Sequence, residues 1–187
     1  MNKRQFLSAI ATAGLLAACS TTGTSGSDPA AQRRSIDAEV DGAMTKLYAQ
    51  VQGSRELVAK ARGVLVFPSV VSGGLIVGGS YGRGELRSEG RTAGYYSTAA
   101  ASAGLLAGVE SKAVYVLFMT QDSLDQFVRS KGWTIGADAS VTLVHVGADA
   151  GVDTLTAREP VLGFVLSNAG LMAGVALDGT KVSRLAI

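Results

Sequence analysis

Apolar positions change their period along the chain. Ile36, Val40, Met44, Leu47 and Val51 recur at spacings of four, four, three and four, which places them on one helical face. Ser35 is positioned to cap that helix, and Asp37 and Glu39 suit its positive end. A second, short helix is expected from Arg55 to Arg62 after Ser54, stopped by Gly63. Beyond it the pattern becomes short apolar runs broken by glycine. These are Val64 to Phe67, ended by Pro68, then Leu75 to Glu89, Leu105 to Val109, Ala113 to Met119, Ala139 to Val146, Val161 to Leu166, Leu171 to Leu177 and Val182 to Leu185. One helix interrupts them, with Asp122 as its cap, Leu124, Phe127 and Val128 as its apolar face, and Gly132 past its end. The expected class is α+β: a Gly-rich, mostly antiparallel sheet or partly closed barrel with two N-terminal helices and one inserted helix.

The N-terminus follows a different grammar. Lys3 and Arg4 precede the apolar run Phe6 to Ala17, which leads into Leu16-Ala17-Ala18-Cys19. Residues 1–18 read as a lipoprotein signal peptide, with Cys19 as the lipid anchor. Cys19 is the only cysteine, so no intrachain disulfide forms. Ser20 to Ala31 is rich in Gly, Ser and Thr without apolar period, so residues 19–34 read as a lipidated cysteine and flexible tether, and 35–187 as a single domain. Lys3-Arg4-Gln5-Phe6-Leu7 also approximates a twin-arginine signal. Ser20, standing where an inner-membrane retention Asp would be, points to the outer membrane of a bacterial envelope, facing the periplasm.

Charge changes meaning once the leader is set aside. The chain carries 17 Lys and Arg against 15 Asp and Glu. Loss of Lys3 and Arg4 with the leader leaves the mature chain formally neutral, which argues against a nucleic-acid partner. With 47% hydrophobic residues and only three prolines, a packed domain is expected rather than a disordered chain.

The most specific internal pattern is Gly-Leu-x-x-Gly, at Gly74 to Gly78, Gly104 to Gly108 and Gly170 to Gly174. The unequal intervals exclude a solenoid. Within a strand, glycines four apart share a face and leave a strip free of side chains, for close packing, bending or an acyl chain. Val161 to Leu177 is uncharged, but Ser167-Asn168 at its middle favours strand, turn and strand over a membrane helix. His145 is the only histidine, no Gly-x-Ser-x-Gly elbow is present, and Thr180 precedes Lys181 where a phosphate loop needs the reverse order. No enzymatic activity, metal or cofactor is therefore expected. Arg83, Glu85, Arg87 and Glu89 alternate as a solvated stripe. Arg55, Lys60 and Arg62, joined by Arg33 and Arg34, form a basic group suited to anionic headgroups.

Ala61-Arg62-Gly63-Val64-Leu65-Val66-Phe67-Pro68 followed by the Gly-rich residues 73–84 resembles the opening of the SYLF domain. Tyr95-Tyr96, Gly104 to Glu110, Val116 to Met119, Gly132-Trp133, Gly136-Ala137-Asp138 and Asn168 to Gly179 continue the resemblance over residues 35–187. It implies a lipid-binding module. Eukaryotic members associate with phosphoinositide membranes, through an N-terminal amphipathic helix, and with actin, while bacterial members are often exported lipoproteins. Leu106 stands where many relatives carry Gln, and actin binding is not carried over to a lipoprotein of this type. The expected function is a membrane-anchored, non-enzymatic lipoprotein that binds anionic phospholipid or another amphiphile. Cys19 is its anchor, and Arg55, Lys60, Arg62, Gly74, Gly78, Gly104, Gly108, Gly170 and Gly174 are its candidate lipid contacts. The alternative is a structural or scaffolding envelope protein that packs against an unidentified protein partner through its Gly-rich strands.

Overall fold

A computed structural model describes residues 28–74, 77–103, 108–144, 159–168, 170–172 and 176–187. Helix α1 (Pro29–Gln50) starts six residues before the expected Ser35 cap. Asp28 caps it by accepting the Ala30 N–H at 3.0 Å, with proline in the first turn, while the Ser35 hydroxyl donates to Glu39. Polar composition hid this start, because residues 29–35 add no apolar period. Helix α2 (Ser54–Lys60) is capped by Gly53 at φ 80° and ends two residues short of Arg62. Helix α3 (Gln121–Arg129) is capped by Thr120, whose hydroxyl accepts the Ser123 N–H; Asp122 lies in its first turn.

Among the described residues nine strands form one sheet: β1 (Gly63–Gly74), β2 (Val77–Ser88), β3 (Arg91–Ala103), β4 (Gly108–Phe118), β5 (Trp133–Thr134), β6 (Thr142–Leu143), β7 (Val161–Ser167), β8 (Gly170–Leu171) and β9 (Lys181–Arg184). Their order is β5-β9-β3-β2-β1-β4-β7-β6, with β8 paired to β7, and only β6 with β7 is parallel. The sheet curls strongly into a half-barrel, which is the expected class. Several details depart from expectation. β1 runs through Pro68, because both of its registers shift there and a bulge needs no N–H from proline. β3 was not expected, since its Ala, Ser, Thr and Gly residues give little apolar signal. β4 is one strand through Glu110, Ser111 and Lys112. The Glu89-Gly90 pair, at φ 52° and 74°, makes the β2–β3 turn and is not part of the strand. Of the Ala139 to Val146 and Leu171 to Leu177 runs, only β6 and β8 are strands among the described residues.

The central strands are buried on both faces, by strict alternation. Val64 and Val66 of β1, Tyr115 and Leu117 of β4, and Leu162, Phe164 and Leu166 of β7 pack against Ile36, Val40, Met44 and Leu47 of α1. Leu65, Phe67, Val116, Phe118, Val161 and Val165 point the other way, onto Leu124 and Phe127 of α3, Trp133 and Val182. Phe127 centres an aromatic group there, 4.9 Å from Tyr96, 4.9 Å from Phe118 and 5.2 Å from Trp133. α1 lies across the strands: Tyr95 of β3 donates to Asp37, Arg87 of β2 to Asp41, Tyr115 of β4 to the Ala43 carbonyl, and Lys46 reaches the Ser167 carbonyl at the end of β7.

Gly84 sits where β2 meets the β1 bulge, and a Cβ there falls onto the Val66 carbonyl oxygen and the Phe67 ring. A Cβ at Gly42, on the open side of α1, meets nothing within 4 Å. Gly84→Ala is therefore expected to lower stability by about 1–3 kcal/mol, and Gly42→Ala to raise it by about 0.5–1 kcal/mol. Urea unfolding midpoints of the two variants check both signs.

Candidate functional site

The charged residues of β2 do not form a solvated stripe. Glu85 is 0% exposed under α1, while Arg83 remains outside and Glu89 occupies the turn. Two nitrogens of Arg87 donate to the two Glu85 oxygens, each at 3.0 Å, and Thr92 adds a hydroxyl at 2.7 Å. Arg87 also reaches Asp41 of α1 at 2.7 Å. These hydrogen bonds, the Glu85 pair foremost, raise the Arg87 pKa above the ordinary guanidinium value. Beside this network, burial and then the bond to Asp37 push Tyr95 up to about 12; burial alone does so for Tyr115. The alternating charges were visible in the sequence; their coverage by α1 was not.

The basic group is partly assembled. Arg55 stacks 4.4 Å above the Tyr48 ring, Lys60 lies in the last turn of α2, and Arg62 stands between α2 and β1. None of the three is in an ion pair among the described residues. Arg33 and Arg34 do not join them: Arg34 pairs with Asp28, and at 1.5 Å per residue it lies about 20 Å along α1 from Tyr48. Between α1, α2 and the sheet runs a groove of about 680 Å3, with an apolar wall of Met44, Tyr48, Val58 and Val64 and with Asp41, Arg62, Arg87 and Glu89 on its polar side; Arg87 and Asp41 pair with each other, which leaves Arg62 and Glu89 outside any ion pair among the described residues. The apolar stripe of α1 is largely spent on the core, leaving Met44 and Tyr48 as the part of it that reaches this groove.

The first Gly-Leu-x-x-Gly motif is not a strip along one strand. Gly74 ends β1 and Gly78 pairs with it from β2, so the first motif spans a hairpin connection. Gly108 opens β4 and pairs with Gly74. Gly170, at φ 123°, opens β8 after the turn from β7. The sheet thus brings Gly74, Gly78 and Gly108 to one end, away from Arg55, Lys60 and Arg62. Cys19, Gly104, Gly174, His145 and the leader lie outside the described residues.

Among the described residues no helix covers the end of the sheet marked by those glycines. Val71, Val77, Tyr81 and Val109 are 46%, 75%, 54% and 81% exposed there. The registers pair Val71 with Tyr81 and Gly73 with both Gly79 and Val109, so these side chains share the face on which α1 lies. A second groove, of about 660 Å3, runs from Glu39 along Val71, Gly73, Tyr81 and Arg83. Sequence reading missed this surface, although a signal existed: residues 69–82 and 92–109 contain no charge.

Among the described residues no group of three or more His, Cys, Asp or Glu side chains could hold a metal, and no helix is long and apolar enough to cross a membrane. Residues 99–185 match the Ysc84 family model, described as Las17-binding protein actin regulator, in agreement with the SYLF resemblance. The match runs from the second half of β3 through β9. A search of curated proteins found no match.

Removing one partner of the Glu85–Arg87 pair strands a buried charge. Arg87→Met is expected to cost about 3–5 kcal/mol, and adding Glu85→Leu to recover much of it; urea unfolding of the single and double variants measures the difference. A separate loss is expected at high pH. The native pKa values of Tyr95 and Tyr115, about 12, lie above the unfolded value near 10. Their contribution to stability is complete below pH ~10 and falls as pH rises toward 12. Tyr115→Phe should flatten that decline in a series of melts across this range.

Proposed function

With residues 99–185 matching the Ysc84 (SYLF) family, we propose that the protein is a non-enzymatic lipoprotein of the cell envelope, anchored through Cys19, whose domain binds anionic phospholipid or a related amphiphile. The observation that carries this reading is the groove between α1 and α2. Met44, Tyr48, Val58 and Val64 offer an apolar wall, and Arg62 stands on its polar side with no acidic partner among the described residues. An amphiphile needs that pairing of apolar wall and unpaired cation. Arg55 and Lys60, on α2, extend the positive charge beside it. Cys19 keeps the groove near a bilayer, and outer-membrane placement follows from Ser20.

A second reading has its own support. The description of the matched family names a protein that binds another protein and regulates actin, which favours a scaffolding role in which the acyl anchor only localises the domain. Cross-linked protein partners without co-purified lipid would select it.

Both cores are built from residues after Ile36, and α1 needs its Asp28 cap, so residues 28–187 form the fragment for a flotation test. The fragment is expected to float with vesicles containing anionic phospholipid. Lys60→Gln with Arg62→Gln should weaken association about thirtyfold, from about 1 kcal/mol for each lost cation near the surface. Absence of flotation at both low and physiological salt would sink the headgroup reading.

A further inference from the structure

We propose that the uncovered end of the sheet, carrying Val71, Val77, Tyr81 and Val109, is the element that enters the lipid surface, tip first and to shallow depth. This inference rests on the preceding reading only in placing the protein at a bilayer, and it concerns a different surface from the α1–α2 groove.

Charge distribution sets the boundary. Residues 69–82 and 92–109 contain no Asp, Glu, Lys or Arg; charge resumes at Arg83, level with Ser69 at the base, and on β4 at Lys112, level with Val70, and at Glu110, which is level with Ser72 and confines the charge-free part of β4 to the last residues before the tip. From Ser69 to Gly74 and from Gly78 to Arg83 the strands rise about 17 Å. That is close to the depth of one leaflet's hydrocarbon, about 15 Å. Exposure of the large apolar side chains grows along this rise: Val71 and Tyr81, paired across the strands, are 46% and 54% exposed, whereas Val77 and Val109 nearer the tip are 75% and 81% exposed. α1 stands on the same face and holds the base off any flat surface, so contact begins at the tip.

Size decides between a bilayer and a second copy of the chain. Four strands spaced about 4.8 Å apart and about 17 Å long present about 300 Å2. A stable protein interface takes about 800 Å2 from each partner. A lipid surface has no such minimum. Depth is limited by the backbone. β9 pairs with β3 only at Tyr96 to Ala99, and β7 with β4 only at Ala113 to Phe118, so among the described residues Ala100–Ala103 and Gly108–Lys112 have no outer partner strand. Hydrocarbon does not tolerate such open edges, so the tip stays within reach of interfacial water. The nine residues from Cys19 to Asp28 span up to about 30 Å when extended.

The test uses full-length lipidated protein in phosphatidylcholine–phosphatidylglycerol vesicles, with and without brominated acyl chains, carrying Val77→Trp, Val109→Trp or Val128→Trp. Trp133, 3% exposed in the second core, is the internal reference, and Val128, 44% exposed on α3, is the control position. Emission from the tryptophan introduced at 77 or 109 is expected to shift to the blue and to be largely lost with brominated chains, while Val128→Trp behaves as the parent. Co-sedimenting protein in which positions 77 and 109 are quenched no more than 128 overturns the inference and leaves the lipid reading standing. A blue shift without quenching, together with a doubled mass, assigns the face to a second copy and also overturns it. Failure to co-sediment overturns the lipid reading, and this inference with it.

Discussion

A helix laid across strands covers little of their length. α1 is about 10 Å wide, whereas β1, β2 and β3, of 12, 12 and 13 residues, are each about 40 Å long. With α2 beside it, α1 covers one end of its face, and α3 with β5 and β9 covers the opposite face near that end. Among the described residues the rest of β1 to β4 has no helical partner. It is built of small residues, and the few large apolar side chains it carries are left in the open. Both candidate surfaces follow from this mismatch: the groove lies along one flank of α1, and the bare face lies beyond the other.

Holding α1 in that transverse position takes polar contacts, because apolar packing alone tolerates sliding along the sheet. Asp37, Asp41, the Ala43 carbonyl and Lys46 each meet a different strand, so the helix is located at four points across the sheet. Glu85 is the one fully buried carboxylate among them, and Arg87 serves it and Asp41 together. The alternating charges of β2 thus orient a helix.

The sequence was most legible where burial follows a simple period. Ile36 to Val51 announced α1, and the alternation in Val64 to Phe67, Ala113 to Phe118 and Val161 to Leu166 announced the two-faced centre of the sheet. Legibility failed where no packing partner imposes a pattern. β3 is rich in Ala, Ser and Thr, which carry no apolar period, and the start of α1 is polar because residues 29–35 overhang the core. The first glycine motif, Gly74 to Gly78, spans a hairpin connection instead of one strand, since five-residue spacing reads equally as either. Arg62 was recognised, whereas the groove beside it depends on where α2 ends, which spacing alone could not fix. The exposed face had a usable signal in the two charge-free stretches, but absence of charge marks buried strands as well.

Pro68 and the bulge around it fall at the border between the covered and uncovered parts of β1. An interrupted ladder is a poor conductor of cooperativity. On one side, amides of Val64 to Phe67 are sealed between two cores and open only when the whole domain does; on the other, those of Val70 to Gly74 have solvent nearby. The domain therefore contains two tiers of rigidity along a single strand. The bare end can loosen, bend and re-form against a soft surface while the half that bears α1 keeps its shape.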